Sequence, residues 1–257
     1  MSDLVTRADH GGVRTLTLND PDRRNPLSVA LRAHLLEELT EAMEDPVVRA
    51  VVLTASGPVF SAGGDLSAMR RRPAAEALEL LESAQAVVRT ILAGPVPVVA
   101  HVEGAAFGAG VALAAACDRV VTTTSTRFRA TFTGVGLSGD MGIYWSLPRR
   151  VGPAWARRML MFGDEVDGSR AVDIGLADVL AEPGEALAVA VAEAAGVARG
   201  PRGALAAVKE MLGTVGDRDA VLDAEARTQS SLTDTDDFAE GVAAFLERRA
   251  PLFGGPG

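Results

Sequence analysis

An α/β fold is predicted for this chain by three observations. Apolar, β-branched runs alternate with helix-like segments over the first two thirds, glycine-rich turns join two of those runs to the next helix-like segment, and helix formers fill the last third. Val13–Leu18 alternates as a strand should, and Asn19-Asp20-Pro21-Asp22 breaks it. Ser28 reads as the N-cap of a helix reaching about Glu44, with Leu31, Leu35, Leu39 and Met43 on one stripe. Ala50–Thr54 is a strand that leads to the first glycine turn, Phe60-Ser-Ala-Gly-Gly-Asp65. A long helix runs from Ala74 to Leu92, entered after Pro73 and ended by Gly94-Pro95. The strand Val96–Val102 and the second turn, Gly104-Ala-Ala-Phe-Gly-Ala-Gly110, repeat the order. Val111–Ala116 continues as a helix of small residues ending near Cys117-Asp118, and Arg119–Thr124 is a further strand. From Pro153 onwards helices are expected, broken near Gly163, Gly175, Pro183 and Gly200-Pro201.

At 257 residues the chain can bury a sizeable core, and with 48% apolar but only 4% aromatic residues that core is built from Ala, Val and Leu. A net charge of −9 argues against general nucleic-acid binding. The clusters Arg23-Arg24 and Arg70-Arg71-Arg72 remain compatible with a small phosphorylated ligand, although arginine pairs are by default solvated faces. The single Cys117 excludes an internal disulfide, fits a reducing compartment and is expected to pack inside a helix. No secretory signal is visible at the start and no apolar run is long enough to span a bilayer, so a soluble, cytoplasmic protein is expected. His10, His34 and His101 lack the spacing of a metal site.

The chemistry resides in the turns. Residues without bulky side chains let backbone approach a ligand with its N–H groups exposed, and two such turns can aim two donors at one oxygen, as an oxyanion requires. One candidate carboxylate, Asp140, lies further on between glycines, where an aspartate is ordinarily a turn residue or a helix cap. Gly108-Ala-Gly110 alone could pass for part of a dinucleotide fingerprint. Leu113 and Thr131 supply neither the third small residue nor the later acid of that motif. Gly136-Leu-Ser138-Gly-Asp140 misses the nucleophile elbow because Asp140 takes the final glycine's place.

Together the pieces Asp22–Ser28, Phe60–Leu66, Gly104–Asp118, Gly136-Leu137 with Asp140 and Gly142, Leu147-Pro-Arg149 and the tail Glu240–Phe253 carry a resemblance. In that order and spacing the chain resembles the crotonase (enoyl-CoA hydratase/isomerase) superfamily along almost its whole length. The resemblance implies a spiral of ββα units over residues 1–195 and a C-terminal helical region, 196–257, used to form a homotrimer or a hexamer of two trimers. It implies an acyl-CoA thioester as ligand, with no separate cofactor and no metal. The thioester oxygen would sit between the backbone N–H groups of Gly64 and Ala109. Ala62, Gly63, Gly64, Asp65 and Leu66 of the first turn would contact the ligand. Gly108, Ala109 and Phe132 would face them, and Arg23 or Arg24 would reach the CoA phosphates.

The departures from the family pattern are more informative. Hydratases of this family carry two glutamates that hold and activate water, and the matching positions here are Ala112 and Phe132. Asp140 remains, in a run similar to the isomerase branch, which includes the ring-1,2-epoxyphenylacetyl-CoA isomerases. A double-bond shift needs one carboxylate that removes a proton at one carbon and returns it at another, so a lone aspartate suits isomerisation. Met141, Tyr144 and Trp145 are placed to shield Asp140 and raise its pKa. Two rivals stand beside this reading. One is an enoyl-CoA hydratase, for which Glu103 is the nearest second carboxylate in sequence; the other is a non-catalytic acyl-CoA binding protein.

Overall fold

The computed structural model describes residues 3–214 and 216–254. The chain opens on an antiparallel hairpin, β1 (Val5–His10) and β2 (Val13–Leu18), followed by α1 (Val29–Glu44). β3 (Ala50–Ala55) pairs in parallel with β2, and α2 (Ala74–Ala93) follows. β4 (Val98–Val102) joins β3 in parallel, then hands the chain to β5 (Ala105–Phe107) of a second sheet and to α3 (Ala109–Ala116). The step repeats with β6 (Arg119–Thr123) on β4, β7 (Arg127–Arg129) on β5, and α4 (Ile143–Arg157). β8 (Glu165–Asp167) closes the small sheet, and after α5 (Gly168–Asp173) β9 (Val179–Ala181) extends the large one. The helices α6 (Ala186–Ala198), α7 (Arg202–Gly213), α8 (Arg218–Leu232) and α9 (Asp236–Glu247) follow. The large sheet runs β1-β2-β3-β4-β6-β9 and the small one β5-β7-β8. The chain thus winds as the crotonase-type spiral, with β4-β5-α3 and β6-β7-α4 each leading from large sheet to small sheet to helix.

Local chemistry explains the main elements. Ser28 caps α1, its Oγ accepting from the Leu31 N–H at 3.2 Å. Leu31, Leu35, Leu39, Ala42 and Met43 of α1 are buried against the face of the sheet that also receives α2 and α3. Every residue of α3 is buried, so a helix apolar all round lies inside the molecule with its N-terminus at the second glycine turn. On the opposite face, Ala186, Ala190, Ala194 and Ala198 repeat every fourth residue along α6. They let that helix lie close on Val13, Ala50, Val52, Val99 and Val121.

The expectation of helices alone after Pro153 is corrected by β8 and β9. Three residues are too few to display alternation, and sheet pairing rather than local propensity makes them strands. β5 and β7 escaped for the same reason, and β1 because five of its six residues are exposed. Position 195 falls inside α6, while the chain leaves the sheet at Gly200-Pro201. Cys117 is buried just past the end of α3 rather than within it, and burial pushes its thiol up to about 12.

Cations tie α7 back to the core. Arg202 donates to the Met43 and Asp45 carbonyls at the end of α1. Lys209 donates to Ile91 O near the end of α2, to Val96 O and to Asp118 Oδ2. Carbonyls in a last helical turn have no partner within the helix, so positive side chains are well placed there.

Candidate active site

The first turn is built on Asn25. This side chain is fully buried, donates to Ser56 O and Val59 O, and accepts from the Asp20 N–H. Its carbonyl accepts from Ser61 Oγ at 2.7 Å, and Ser61 Oγ in turn accepts from the Gly63 N–H at 3.1 Å. Ala62 N–H donates to Arg24 O, and Leu27 N–H to Gly63 O. The turn is thereby pinned to the Asp20–Leu27 segment before α1.

The second turn packs backbone on backbone against the first. Ser61 N–H donates to Ala105 O and Phe107 N–H to Ser61 O. A Cβ on Gly63 would lie 2.6 Å from Phe107 O and 3.4 Å from the Ala109 nitrogen, and the residue holds φ +95°. Glycine is required there on both counts. These contacts bring Gly63, Gly64, Gly108 and Ala109 together. Among the described residues neither the Gly64 nor the Ala109 N–H donates to a protein acceptor. Both donors are available to a ligand oxygen, and Ala109 also opens α3, whose dipole favours negative charge.

Phe132 connects this pair of donors to the carboxylate. Its buried ring would touch a Cβ on Gly108 at 4.0 Å and one on Gly139 at 3.4 Å, so it stands between the second turn and the loop holding Asp140. Phe132 and Ala112, the two positions that the resemblance matches to family glutamates, are both buried, Ala112 fully so one turn into α3.

Asp140 caps nothing. Among the described residues no hydrogen bond joins its side chain to another residue, and Oδ1 is shielded from solvent without a partner. Burial pushes its carboxyl above the usual aspartate range, while the nearby Arg32 charge and its own backbone N–H pull it back. Of the three residues expected to shield it, Met141 is buried and Trp145 half-buried, whereas Tyr144 is exposed and its hydroxyl donates to Ser138 O at 2.6 Å, bracing the loop. Trp145 stacks under Arg149 at 3.1 Å.

The other sequence candidates are paired within the protein or exposed. Asp65 accepts from Arg23 Nη2 at 2.6 Å and from Ser67 Oγ, so the arginine's charge is matched within the protein. Arg24 and Leu66 are exposed, and Met69 Cε lies where a Cβ on Gly64 would fall. Glu103 ends β4 with its carboxylate 3.5 Å from His101 Nε2. Sequence reasoning missed Asn25, signalled only by the Asn-Pro turn dipeptide, and Arg32, which has no sequence signal at all. Among the described residues no cluster of three or more His, Cys, Asp or Glu side chains could hold a metal ion. No described helix is long and apolar enough to cross a membrane. A surface groove lined by Trp155, Arg158, Asp164 and Arg170 lies on another face, with Arg158 and Asp164 paired at 2.8 Å.

A spiral of two sheets carrying paired backbone donors at a helix N-terminus matches the family model described as enoyl-CoA hydratase/isomerase over residues 8–256. The chain belongs to that family and is an acyl-CoA-processing enzyme of crotonase fold. It is 40% identical over 250 residues to a Rhodobacter capsulatus protein named "Probable enoyl-CoA hydratase", covering 95% of each chain. It is 33% identical over 261 residues to 1,2-epoxyphenylacetyl-CoA isomerase of Escherichia coli, covering 99% of this chain and all of that one. The crystal structure of an enoyl-CoA hydratase from Mycobacterium smegmatis superposes with a TM-score of 0.91 at 36% identity, covering 98% and 99% of the two chains.

Proposed function

We propose that this enzyme shifts the double bond of an enoyl-CoA thioester, with Asp140 as a single proton shuttle and the Gly64 and Ala109 amides as the oxyanion hole. One observation carries the reading: among the described residues the half-buried Asp140 is a carboxylate without a hydrogen-bond partner on Oδ1, and the resemblance, which matches Ala112 and Phe132 to the family's two water-activating glutamates, supports it. Asp140 in its charged form takes the proton from the carbon next to the thioester carbonyl. The electron pair moves onto the carbonyl oxygen, giving a dienolate held by the two amides, each such donor being worth about 2.7–4 kcal/mol of barrier. Return of the proton from Asp140 to the far end of the dienolate moves the double bond and regenerates the carboxylate, with no water consumed.

CoA is part of the substrate, and the exposed Arg24 is the candidate for its phosphates, together with Arg23 where a phosphate displaces Asp65. The hydratase reading is favoured by the name of the Rhodobacter relative and opposed by the place of Glu103, which follows β4 beside His101. The C-terminal helices support assembly into a trimer or hexamer, since Phe245 and Leu246 stand 81% and 73% exposed. The test offers purified protein a panel of 3-enoyl-CoA thioesters and a ring-epoxide thioester, with products read by mass spectrometry and NMR. Product of unchanged mass with a moved double bond or opened ring is expected. Product heavier by one water overturns isomerisation in favour of hydration.

A further inference from the structure

α3 and α4 carry the two halves of the proposed chemistry at their N-terminal ends. Ala109 opens α3, and the Asp140 carbonyl accepts the Ile143 N–H at 3.2 Å where α4 begins. The two helices pack on each other, and Phe132 stands between the turn that leads into one and the loop that leads into the other. Further along, Arg150 of α4 joins them. Its side chain is only 13% exposed. It donates from Nε to Ala115 O at 3.0 Å and from Nη2 to Cys117 O at 2.6 Å. Nη1 meets Asp178 Oδ2 at 3.1 Å, and that oxygen also accepts the Val120 N–H of β6. Carbonyls at a helix C-terminus have no partner within the helix, and a planar guanidinium fork holds several acceptors in fixed geometry.

The spacing gives this contact its consequence. Arg150 lies about two turns after Ile143, and Ala115 somewhat under two turns after Ala109. The two stretches are therefore matched in length, in contact through Phe132 at one end and bonded through Arg150 at the other. The kink at Gly152 comes later, so Ile143 to Arg150 is one unbroken helical stretch that passes a shift at the guanidinium on to the Asp140 loop. We infer that Arg150 is a positioning residue, which sets the place of Asp140 relative to the Ala109 N–H by fastening α4 to the far end of α3. This rests on the reading of Asp140 and Ala109 as the reacting groups.

The test compares wild type, Arg150→Met, Arg150→Lys and Lys209→Met below their melting temperatures. Lys209→Met is the control, since it removes another buried cation that ties elements together, away from α3 and α4. With 3-octenoyl-CoA, Arg150→Met is expected to lower kcat about tenfold or more, because small misplacements of reacting groups are costly. KM stays within about twofold, Arg150→Lys recovers part of kcat, and Lys209→Met keeps it. Amide hydrogen exchange read by mass spectrometry should quicken over residues 109–117 and 139–146 in Arg150→Met and not in Lys209→Met. A kcat within a fewfold of wild type, a loss confined to KM, or an equal loss in Lys209→Met overturns the inference. If Arg150→Met does not fold, Arg150→Lys carries the test: a lower kcat at unchanged KM supports the inference and wild-type kinetics overturn it. If wild type isomerises no probe, the isomerase reading fails on its own and hydrogen exchange decides. Exchange quickened in both segments by loss of Arg150 alone supports the fastening, and unchanged exchange overturns it.

Discussion

The role proposed for Asp140 rests on what it lacks among the described residues: a solvent shell around Oδ1 and a hydrogen-bond partner from another residue. Burial raises its pKa above the ordinary aspartate value of 3.8 and the Arg32 charge opposes that rise. The acid limb of the kcat/KM profile is therefore expected above that value, and Arg32→Met moves it higher still; a limb unmoved by that substitution contradicts the coupling. The stability sign comes from the same shift. A folded-state pKa above the unfolded one favours the protonated fold, so stability is fully present below the unfolded value and is lost as pH rises through the raised one. Asp140→Asn should accordingly raise Tm at neutral pH, with the gain disappearing in acid, as calorimetry would register. Gly63→Ala makes a second residue-scale prediction. The positive φ alone costs about 1–3 kcal/mol, and the approach of Phe107 O adds to it. Denaturant unfolding should show that loss, and a neutral result would contradict the backbone packing of the two turns. Gly64, Ala109 and Asp140 were singled out through the family resemblance that the two glycine turns and the Gly136–Gly142 run carry, and their roles stay part of the proposal. Arg32 was not, because a lone arginine on a helix reads as solvated and only tertiary folding brings it to Asp140.

Between elements, the same distinction separates long from short. α1 and α2 were readable nearly to their ends, since Ser28, Pro73 and Gly94-Pro95 are local signals and the leucine stripe has helical period. The three-residue strands of the small sheet were not, because their identity comes from partners distant in sequence. The links between helices were equally hidden. Lys209 gathers Ile91 O, Val96 O and Asp118 with its side chain only 9% exposed. Lys209→Met leaves these acceptors unpaired and is expected to cost about 1–3 kcal/mol, read as a lower midpoint in urea. An unchanged midpoint would mean that α7 is held by apolar contact alone.

For the molecule as a whole, the layering of helices on a mostly parallel sheet follows from the order of elements, whereas the handover between two sheets does not. That handover packs the two glycine turns on each other and sets Phe132 between the second turn and the loop holding Asp140. The C-terminal helices leave Phe238, Phe245, Leu246 and Leu252 exposed around an apolar groove. Burying such side chains against another subunit is worth about 1.5–3 kcal/mol each when complete. Sedimentation should find wild type as a trimer or hexamer and Phe245→Glu shifted towards monomer; a monomeric wild type would contradict the assembly.

The most direct test of the central claim places Asp140→Asn beside wild type, measuring isomerisation of a 3-enoyl-CoA together with the affinity for a saturated acyl-CoA. The one-carboxylate mechanism predicts that turnover falls about a hundredfold or more while binding is kept, since the oxyanion donors and Phe132 are untouched. Turnover within a fewfold of wild type would contradict it and assign the proton transfer to another group.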